Sequence, residues 1–121
     1  MNIGSQEIER VYEVLAHEFT IHRTPVVDLI EAQTKDPFKV LVATILSART
    51  KDETTAAAAL RLFERVKNPR DLQKISENEL QKIIFPVGFY RAKAKHLKLL
   101  PDVLEERFGG EIPQDVNVLV I

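Results

Sequence analysis

The chain has 121 residues, enough for one domain with its own apolar core. Its net charge of −1 means that binding to nucleic acid would need a local basic patch and not overall attraction. The sequence contains no cysteine, which excludes disulfides, thiolate zinc sites and iron–sulfur ligation by these residues. The histidines lack metal-ligand spacing and no catalytic pair of carboxylates is readable, so we expect no metal site and no catalytic residue.

The N-terminal part of the chain predicts one helix followed by a connector. Apolar residues at helical spacing predict a helix over 6–19, and Pro25 is expected to end any helix near Thr24. Within residues 1–35, we interpret the segment from Thr20 to Lys35 as a connector with about one helical turn. Residues 1–7 lack the basic and apolar regions of a signal peptide, so we expect a cytoplasmic protein.

A central helix opens the second part, residues 36–121, which we expect to form the helical core. Asp36 is placed to cap it and Pro37 suits its first position. The next run of residues is apolar on nearly every face, which is typical of a buried helix, and it is too short to span a bilayer. It ends in a polar turn that carries Arg49 and Lys51, a suitable place for ligand contacts. Alternatively, these cations are merely solvated.

Capping signals predict the later helices. Asp52 is expected to cap a helix with an inward stripe of Leu60, Phe63 and Val66. A short helix is predicted from Asn68-Pro69 to Ile75, and the capping box Ser76-Glu77-Asn78-Glu79 predicts another, which stops at Phe85-Pro86-Val87-Gly88. The last helix is predicted from Phe89 to about Phe108, with a kink or break at Pro101 and a stop at Gly109-Gly110.

The tail, residues 111–121, has strand propensity and an apolar end. Since natural domains rarely end within an apolar run, we expect that the chain has been cut there.

A basic segment begins the last helix. Arg91, Lys95 and Lys98 are spaced for one helical face, with Lys93 beside them and two aromatic residues at the helix start. Cations for phosphates beside rings that stack on bases are what nucleic-acid binding requires. Alternatively, the segment is an amphipathic helix with a solvated basic face and two core aromatics.

Together, these segments resemble the endonuclease III branch of the helix-hairpin-helix DNA glycosylases. The resemblance rests on three separated motifs: Asp36-Pro37-Phe38 leading into Ile45–Asp52, then Val87-Gly88-Phe89-Tyr90-Arg91-Ala92-Lys93-Ala94, and then Gly109-Gly110-Glu111-Ile112-Pro113. It implies an all-α, multi-helix bundle like the helical-barrel half of endonuclease III, truncated before the helix-hairpin-helix. The implied function is base-excision repair by an N-glycosylase and abasic-site lyase that acts on damaged pyrimidines, with damaged or abasic duplex DNA as the partner.

The resemblance also implies roles for single residues. Arg49 matches the position of a residue that plugs the space left by the flipped nucleotide, where many relatives have glutamine. Phe89 matches a second wedge. Candidate DNA-binding residues are Arg49, Thr50, Lys51, Phe89, Tyr90, Arg91 and Lys93.

The chain departs from the family at its end. The hairpin with the catalytic lysine begins, in relatives, after the residue that matches Ile121, and the four cysteines for a 4Fe-4S cluster also lie beyond it. We therefore expect no cofactor in this chain and no DNA cleavage by it alone. In relatives, the helix that follows the hairpin packs into the centre of the helical domain, so its absence should leave the faces of Leu41, Ile45, Leu60 and Phe63 without a partner. We expect the chain to self-associate as a homo-oligomer, to swap elements or to bind another copy through its tail. Two alternatives stay open: a non-catalytic helical DNA-binding module, and a helical interaction domain with no role on DNA.

Overall fold

The structure, a computed structural model, describes residues 24–110 and the isolated positions 10 and 13. Both isolated positions are helical, but the predicted helix over 6–19 as a whole and the tail from 111 to 121 lie outside the described residues. All regular structure in the described part is helical, which confirms the predicted all-α class. The helices are α1 (Pro25–Thr34), α2 (Pro37–Ser47), α3 (Asp52–Arg65), α4 (Pro69–Lys74), α5 (Glu77–Ile84) and α6 (Tyr90–Phe108).

Helix α2 is the centre of the core, as its sequence predicts. The Asp36 carboxylate accepts a hydrogen bond from the Phe38 backbone N–H at 3.0 Å, and Pro37 is the first helical residue. Every residue from Val40 to Ser47 is buried. The helix contacts α1, α3 and α6, so that its apolar residues are covered from several sides. Each buried aliphatic side chain of this kind contributes about 1.5–3 kcal/mol.

The connector predicted before α2 is instead a helix of 10 residues, α1, so that prediction is wrong. Pro25 does mark a boundary, but it begins a helix there, because the first helical position needs no N–H donor. Val26 and Val27 are buried in the same core cluster as α2. Lys35, in the left-handed conformation with φ of 50°, ends the helix and lets the chain turn into α2.

Helix α3 faces the core with a different side from the one predicted. Leu60 is 69% exposed, although it was expected in the inward stripe, whereas Leu62 is fully buried. Residues two positions apart in a helix are separated by about 160° around its axis, so the two leucines face nearly opposite sides. Asp52 is the first helical residue and not the cap, which is the backbone position of Lys51. Its negative charge still suits the positive end of the helix.

The exposure predicted for the central helix is wrong. Leu41 is 1% exposed and Ile45 is 3% exposed, because α1, α3 and α6 all pack on α2. Phe63 is partly buried, with the Lys39 ammonium 5.6 Å from its ring centre. Of the residues named for that face, Leu60 alone has a largely exposed side chain.

The predicted caps of α4 and α5 are confirmed. The Asn68 side chain accepts from the Asp71 N–H, and the Ser76 hydroxyl accepts from the Glu79 N–H, both at 3.1 Å. The Glu79 carboxylate accepts a hydrogen bond from Arg65 at 2.9 Å, which holds the pKa of Glu79 below its ordinary value.

Helix α6 is continuous from Tyr90 to Phe108, so the chain does not break at Pro101, and the kink expected there as the alternative stays a prediction. Pro101 is buried beside Leu100 and Leu104, so its ring extends the apolar side of the helix. Gly109, with φ of 63°, ends the helix as predicted. Among the described residues, no helix combines the length and the apolar character needed to cross a membrane.

Candidate nucleic-acid interface

Two turns that are distant in sequence meet at one end of the bundle. The first turn, residues 48–51, joins α2 to α3, and the second turn, residues 85–89, joins α5 to α6. The Gly88 N–H donates to the Thr50 hydroxyl at 2.9 Å. A Cβ on Gly88 would lie 2.6 Å from the Arg49 carbonyl oxygen, closer than real side chains approach. A glycine is therefore required for the two turns to approach this closely.

Lys93 of α6 fastens the first turn from inside the protein, and Thr50 links that turn to the second. Its side chain is buried, with 6% exposure. Its ammonium donates to the carbonyl oxygens of Leu46, at 3.0 Å, and Ala48, and to the Thr50 hydroxyl at 3.1 Å. The carbonyls at the C-terminal end of a helix carry partial negative charge and lack helical partners, so a cation there stabilises the helix end.

The Thr50 hydroxyl completes this arrangement. It donates to the Ala48 carbonyl at 3.2 Å and accepts from Gly88 and Lys93, which uses its single donor and both lone pairs. We call Thr50, Gly88 and Lys93 the clasp. Thr50 and Lys93 were predicted to bind DNA. The structure engages their polar atoms within the protein, where they support the turns, and a DNA contact by either residue stays a prediction.

The clasp brings together two predicted site residues, Arg49 and Phe89. The Arg49 guanidinium carbon is 5.4 Å from the centre of the Phe89 ring, within the range of a cation–π contact. Both side chains are exposed, Phe89 at 62%. Both backbones are left-handed, with φ of 55° and 56°. This conformation costs a residue with a Cβ roughly 1–2 kcal/mol, so the surrounding contacts must hold it. An exposed ring and an exposed cation are thus fixed side by side.

The other predicted site residues, Lys51, Tyr90 and Arg91, lie within two positions of Arg49 or Phe89 in the sequence. Lys51 is exposed at the N-cap position of α3. Tyr90 is partly buried, in an edge-on contact with the Phe85 ring at 5.2 Å between centres. The Arg91 guanidinium lies 5.5 Å from the Tyr90 ring centre, and its side chain is exposed. Arg91 and Lys51 are therefore accessible to a ligand, whereas Tyr90 contacts both Phe85 and Arg91, and its predicted contact with DNA stays a prediction.

The sequence interpretation missed Phe85, Gly88 and Arg61. Phe85 is 57% exposed in the second turn, and the proline after it was a signal that the ring lies just past a helix end. Arg61 donates to the carbonyl oxygens of Ile83, at 2.8 Å, and Phe85, at 2.7 Å, and so fixes the start of that turn from α3. No sequence signal indicates this long-range contact. In residues 24–110 no group of His, Cys, Asp or Glu side chains is placed to hold a metal ion.

Comparison with known proteins defines the class of this fold and site. The family described as HhH-GPD superfamily base excision DNA repair protein matches residues 42–119, and the chain belongs to this family. The matched span includes both turns and the clasp.

Among curated relatives, endonuclease III of Thermotoga maritima is 39% identical over 85 residues, which are 70% of this chain and 40% of that protein. Endonuclease III-like protein 1 of Gallus gallus is 34% identical over 119 residues, 95% of this chain and 42% of that protein. The chain thus spans about two fifths of the length of these curated relatives.

Solved structures show the same fold. A non-covalent endonuclease III–DNA complex matches with a TM-score of 0.64 and 30% identity, covering 91% of this chain and 49% of that one. A trapped endonuclease III–DNA covalent intermediate gives 0.63 and 29%, covering 94% and 51%. A thermostable thymine-DNA glycosylase, at 0.64 and 21% identity, shares the fold and covers 96% and 52%.

Proposed function

We propose that these residues recognise damaged or abasic duplex DNA as part of an endonuclease III-like base-excision glycosylase and abasic-site lyase acting on damaged pyrimidines. One observation carries the proposal: the exposed Arg49 and Phe89 side chains lie 5.4 Å apart on two turns that a buried clasp fastens together. Support comes from the family and from similarity to endonuclease III, which has been solved in complex with DNA.

The physical role of the pair is set by the cost of opening a duplex. Taking a nucleotide out of the stack costs a few kcal/mol, least where the base is damaged or absent. A Phe89 ring placed in the gap recovers about 1–3 kcal/mol by stacking on a base. Arg49 provides positive charge and hydrogen-bond donors beside the Phe89 ring. Because both backbones are held before DNA arrives, little ordering entropy is lost on binding.

The remaining exposed cations supply contacts that do not depend on sequence. Lys51 and Arg91 are assigned to backbone phosphates, whose neutralisation releases counterions and makes binding salt-dependent. The Tyr90 ring contacts the Arg91 guanidinium and orients it. A protein with this role acts inside the cell, at the nucleoid.

Bond cleavage is not assigned to any residue of this chain. In the family resembled, a hairpin lysine attacks the sugar as an amine nucleophile, and the sequence has no match for that hairpin. An iron–sulfur cluster needs thiolate ligands, and a sequence without cysteine does not fit one. The residues described act by binding and by keeping the duplex open.

The test compares binding to two duplexes that differ only in an abasic-site analogue, by fluorescence anisotropy at one salt concentration. Arg49→Ala and Phe89→Ala should each weaken binding to the abasic duplex by about tenfold, with a smaller effect on the intact duplex, because the gap is where both act. Arg70→Ala and Leu29→Ala are the matched controls, since both residues are exposed on α4 and α1, helices that adjoin neither turn.

Equal losses on the two duplexes would contradict the proposal, because they would show that Arg49 and Phe89 contribute only general affinity. An unmodified chain that bound both duplexes equally would also contradict it, and would favour a helical interaction domain.

Self-association remains a separate prediction, and it now depends on Leu60. This side chain is 69% exposed on α3, next to the partly buried Phe63 along the helix. Sedimentation equilibrium should show a concentration-dependent mass that Leu60→Lys lowers to the monomer value. A monomer at every concentration would contradict self-association.

A further inference from the structure

A groove beside the second turn is lined by neither Arg49 nor Phe89. Its volume is about 440 Å³, within the range of clefts that take small ligands. The residues that line it, which we call the Phe85 groove, are Asn78, Gln81, Lys82, Phe85 and Tyr90. The first of these is followed at three, four and seven positions by the next three, so they share one face at the end of α5.

The Phe85 ring is held at this groove and stays open to solvent. It is 57% exposed, and it meets the Tyr90 ring edge-on at 5.2 Å between ring centres. An edge-on contact uses at most one face of each ring, so Phe85 keeps a face for a ligand. Its backbone is fixed from α3, because Arg61 donates to the carbonyl oxygens of Ile83 and Phe85. A ring that is exposed and fixed can stack on a ligand at little cost in ordering entropy.

The polar groups around the ring define the chemistry of that ligand. Lys82 is exposed in the groove, and the exposed Arg91 guanidinium lies 5.5 Å from the centre of the Tyr90 ring. No carboxylate is among the described residues that line the groove. Asn78 and Gln81 each offer an amide donor and acceptor, the pair that matches the polar edge of a nucleobase. A nucleotide, with its aromatic base and its phosphate, complements all of these groups. A proline-rich peptide also fits aromatic grooves, but it would leave the cations without a partner.

The DNA opened at Phe89 is the nearest source of such a nucleotide. Phe85 and Phe89 stand at the two ends of the second turn, four residues apart. Four residues span at most about 14 Å, and a stacked strand advances roughly 3.4 Å per nucleotide. The groove therefore lies within about four nucleotides of the gap.

We propose that the Phe85 groove binds an unpaired nucleotide of a DNA strand, within about four positions of the vacated site. The base stacks on Phe85, and Lys82 contacts the phosphate. The amides of Asn78 and Gln81 face the polar edge of the base. This inference rests on the proposed function and deepens it, because the preferred substrate is then a damaged or abasic duplex whose neighbouring base pairs are also open.

The experiment uses abasic duplexes that carry T·T mismatches on both sides of the abasic-site analogue, since a mismatched base leaves the stack at low cost. The mismatches lie about three positions from the analogue in the near duplex and about ten in the far duplex. In competition anisotropy at constant salt, the unmodified chain should bind the near duplex about tenfold more tightly, within the range for one base stacked on an aromatic ring.

Two substitutions of Phe85 test the stacking. Phe85→Tyr, which keeps the ring, should retain the gain in affinity for the near duplex. Phe85→Leu, which keeps the apolar bulk without a ring face, should lose it. Arg61 donates to backbone carbonyls, so both variants retain its hydrogen bonds, and thermal unfolding verifies that the fold is kept. A gain that persists in Phe85→Leu overturns the assignment, because easier opening of the duplex at the Arg49–Phe89 pair would explain it.

Lys82→Gln tests the phosphate contact. On the near duplex, it should make log affinity less steep in log salt by about 0.7, the slope for one phosphate of a single strand. An equal change on the far duplex would show general electrostatic attraction and would overturn the role of Lys82.

The remaining outcomes separate this inference from the proposed function. Equal binding of the near and far duplexes, with the abasic duplex still preferred to the intact one, overturns the inference alone. Loss of the gain in free thymidine monophosphate, at the nucleotide concentration of the duplex, overturns the assignment to a DNA strand in favour of a free nucleotide. A proline-rich peptide that binds the unmodified chain but not Phe85→Leu, without any gain from mismatches, overturns it in favour of a protein partner. Equal binding of abasic and intact duplex by the unmodified chain overturns both proposals.

Discussion

Two lysines of helix α6 each donate hydrogen bonds to carbonyls at the end of another helix, but only one of the two helix ends adjoins the candidate site. Lys93 donates to carbonyls at the end of α2, and Lys98 donates to carbonyls at the end of α4, those of Leu72, Gln73 and Ile75. The two places differ in the residues just past each helix end. After α2 comes the left-handed Arg49 beside an exposed ring, whereas after α4 comes Ile75 in an extended conformation.

This comparison shows that a lysine in a basic helical segment is not evidence of phosphate binding. Both lysines donate to acceptors within the protein. They differ in how easily water can take the place of the lysine ammonium as the donor to those acceptors. Lys93 is buried, while Lys98 is only partly buried. Without the Lys93 ammonium, the Leu46 carbonyl would lose its charged donor and the Ala48 carbonyl would keep only the Thr50 hydroxyl. An unsatisfied buried polar group costs about 1–3 kcal/mol.

Replacing each lysine by methionine should separate the two places. Lys93→Met is expected to lower the free energy of unfolding by about 3 kcal/mol, because two carbonyls and the Thr50 hydroxyl lose a charged donor. Lys98→Met should cost about 1 kcal/mol, since water reaches its acceptors. Urea unfolding measures both. Equal losses would show that the clasp is no more than an ordinary helix cap.

Lys93→Met should also reduce the preference for abasic over intact duplex, measured at a temperature where the variant is folded, and Lys98→Met should leave that preference unchanged. Lys93→Arg, which keeps the charge and the donors, is expected to recover part of it. A preference that survived in Lys93→Met would show that the first turn keeps its shape without the clasp.

The second largest effect is expected at Gly88. Gly88→Ala should destabilise the protein by about 2 kcal/mol, since its Cβ would lie 2.6 Å from the Arg49 carbonyl and 3.1 Å from the Thr50 hydroxyl. Gly109→Ala is the control. It is left-handed, with φ of 63°, but its Cβ would meet nothing within 4 Å, so it isolates conformational strain. Gly88→Ala should lose the abasic preference, and Gly109→Ala should keep it. The same loss in both variants would mean that the close approach of the two turns does not matter.

Local signals in the sequence were enough for most of the helices. Asp36-Pro37, Asn68-Pro69 and Ser76 predicted three helix starts correctly, because a cap acts within one turn of the chain. Pro25 was interpreted as an end when it is a start, since proline suits both a helix boundary and a first turn. Leu60 was placed on the wrong face because the alanine run beside it gives no clear apolar side.

The site itself was only half predictable. Arg49 and Phe89 were chosen through the family resemblance, and the structure places them together. Lys93 was interpreted as a phosphate contact because sequence spacing shows only which helical face a residue occupies. Whether that face meets another helix end depends on tertiary packing, and Leu46 is 47 residues away along the chain. The caps supplied by Arg61 and Lys98 are hidden from the sequence for the same reason.

The smallest expected effect concerns an exposed contact, which contrasts with the buried clasp. Arg65 and Glu79 join α3 to α5, and their side chains are 49% and 40% exposed. The hydrogen bond from Arg65 lowers the pKa of Glu79 below its ordinary 4.5, so the stabilisation is present above that pH and is lost as the pH falls through the lowered pKa. Glu79→Gln should therefore be slightly less stable than the unmodified chain near neutral pH and equal to it in strong acid.

Thermal unfolding of both proteins at about pH 7 and about pH 3 measures this difference. The acceptors of Lys93 are carbonyls and a hydroxyl, which do not titrate in this range. The stability that Lys93→Met loses relative to the unmodified chain should therefore not shrink in acid for this reason. A Glu79→Gln deficit that stayed constant with pH would show that the carboxylate stabilises the protein by packing and not by charge. The Lys93 contacts and the Arg65–Glu79 contact would then differ in burial alone, because neither would depend on a titrating group.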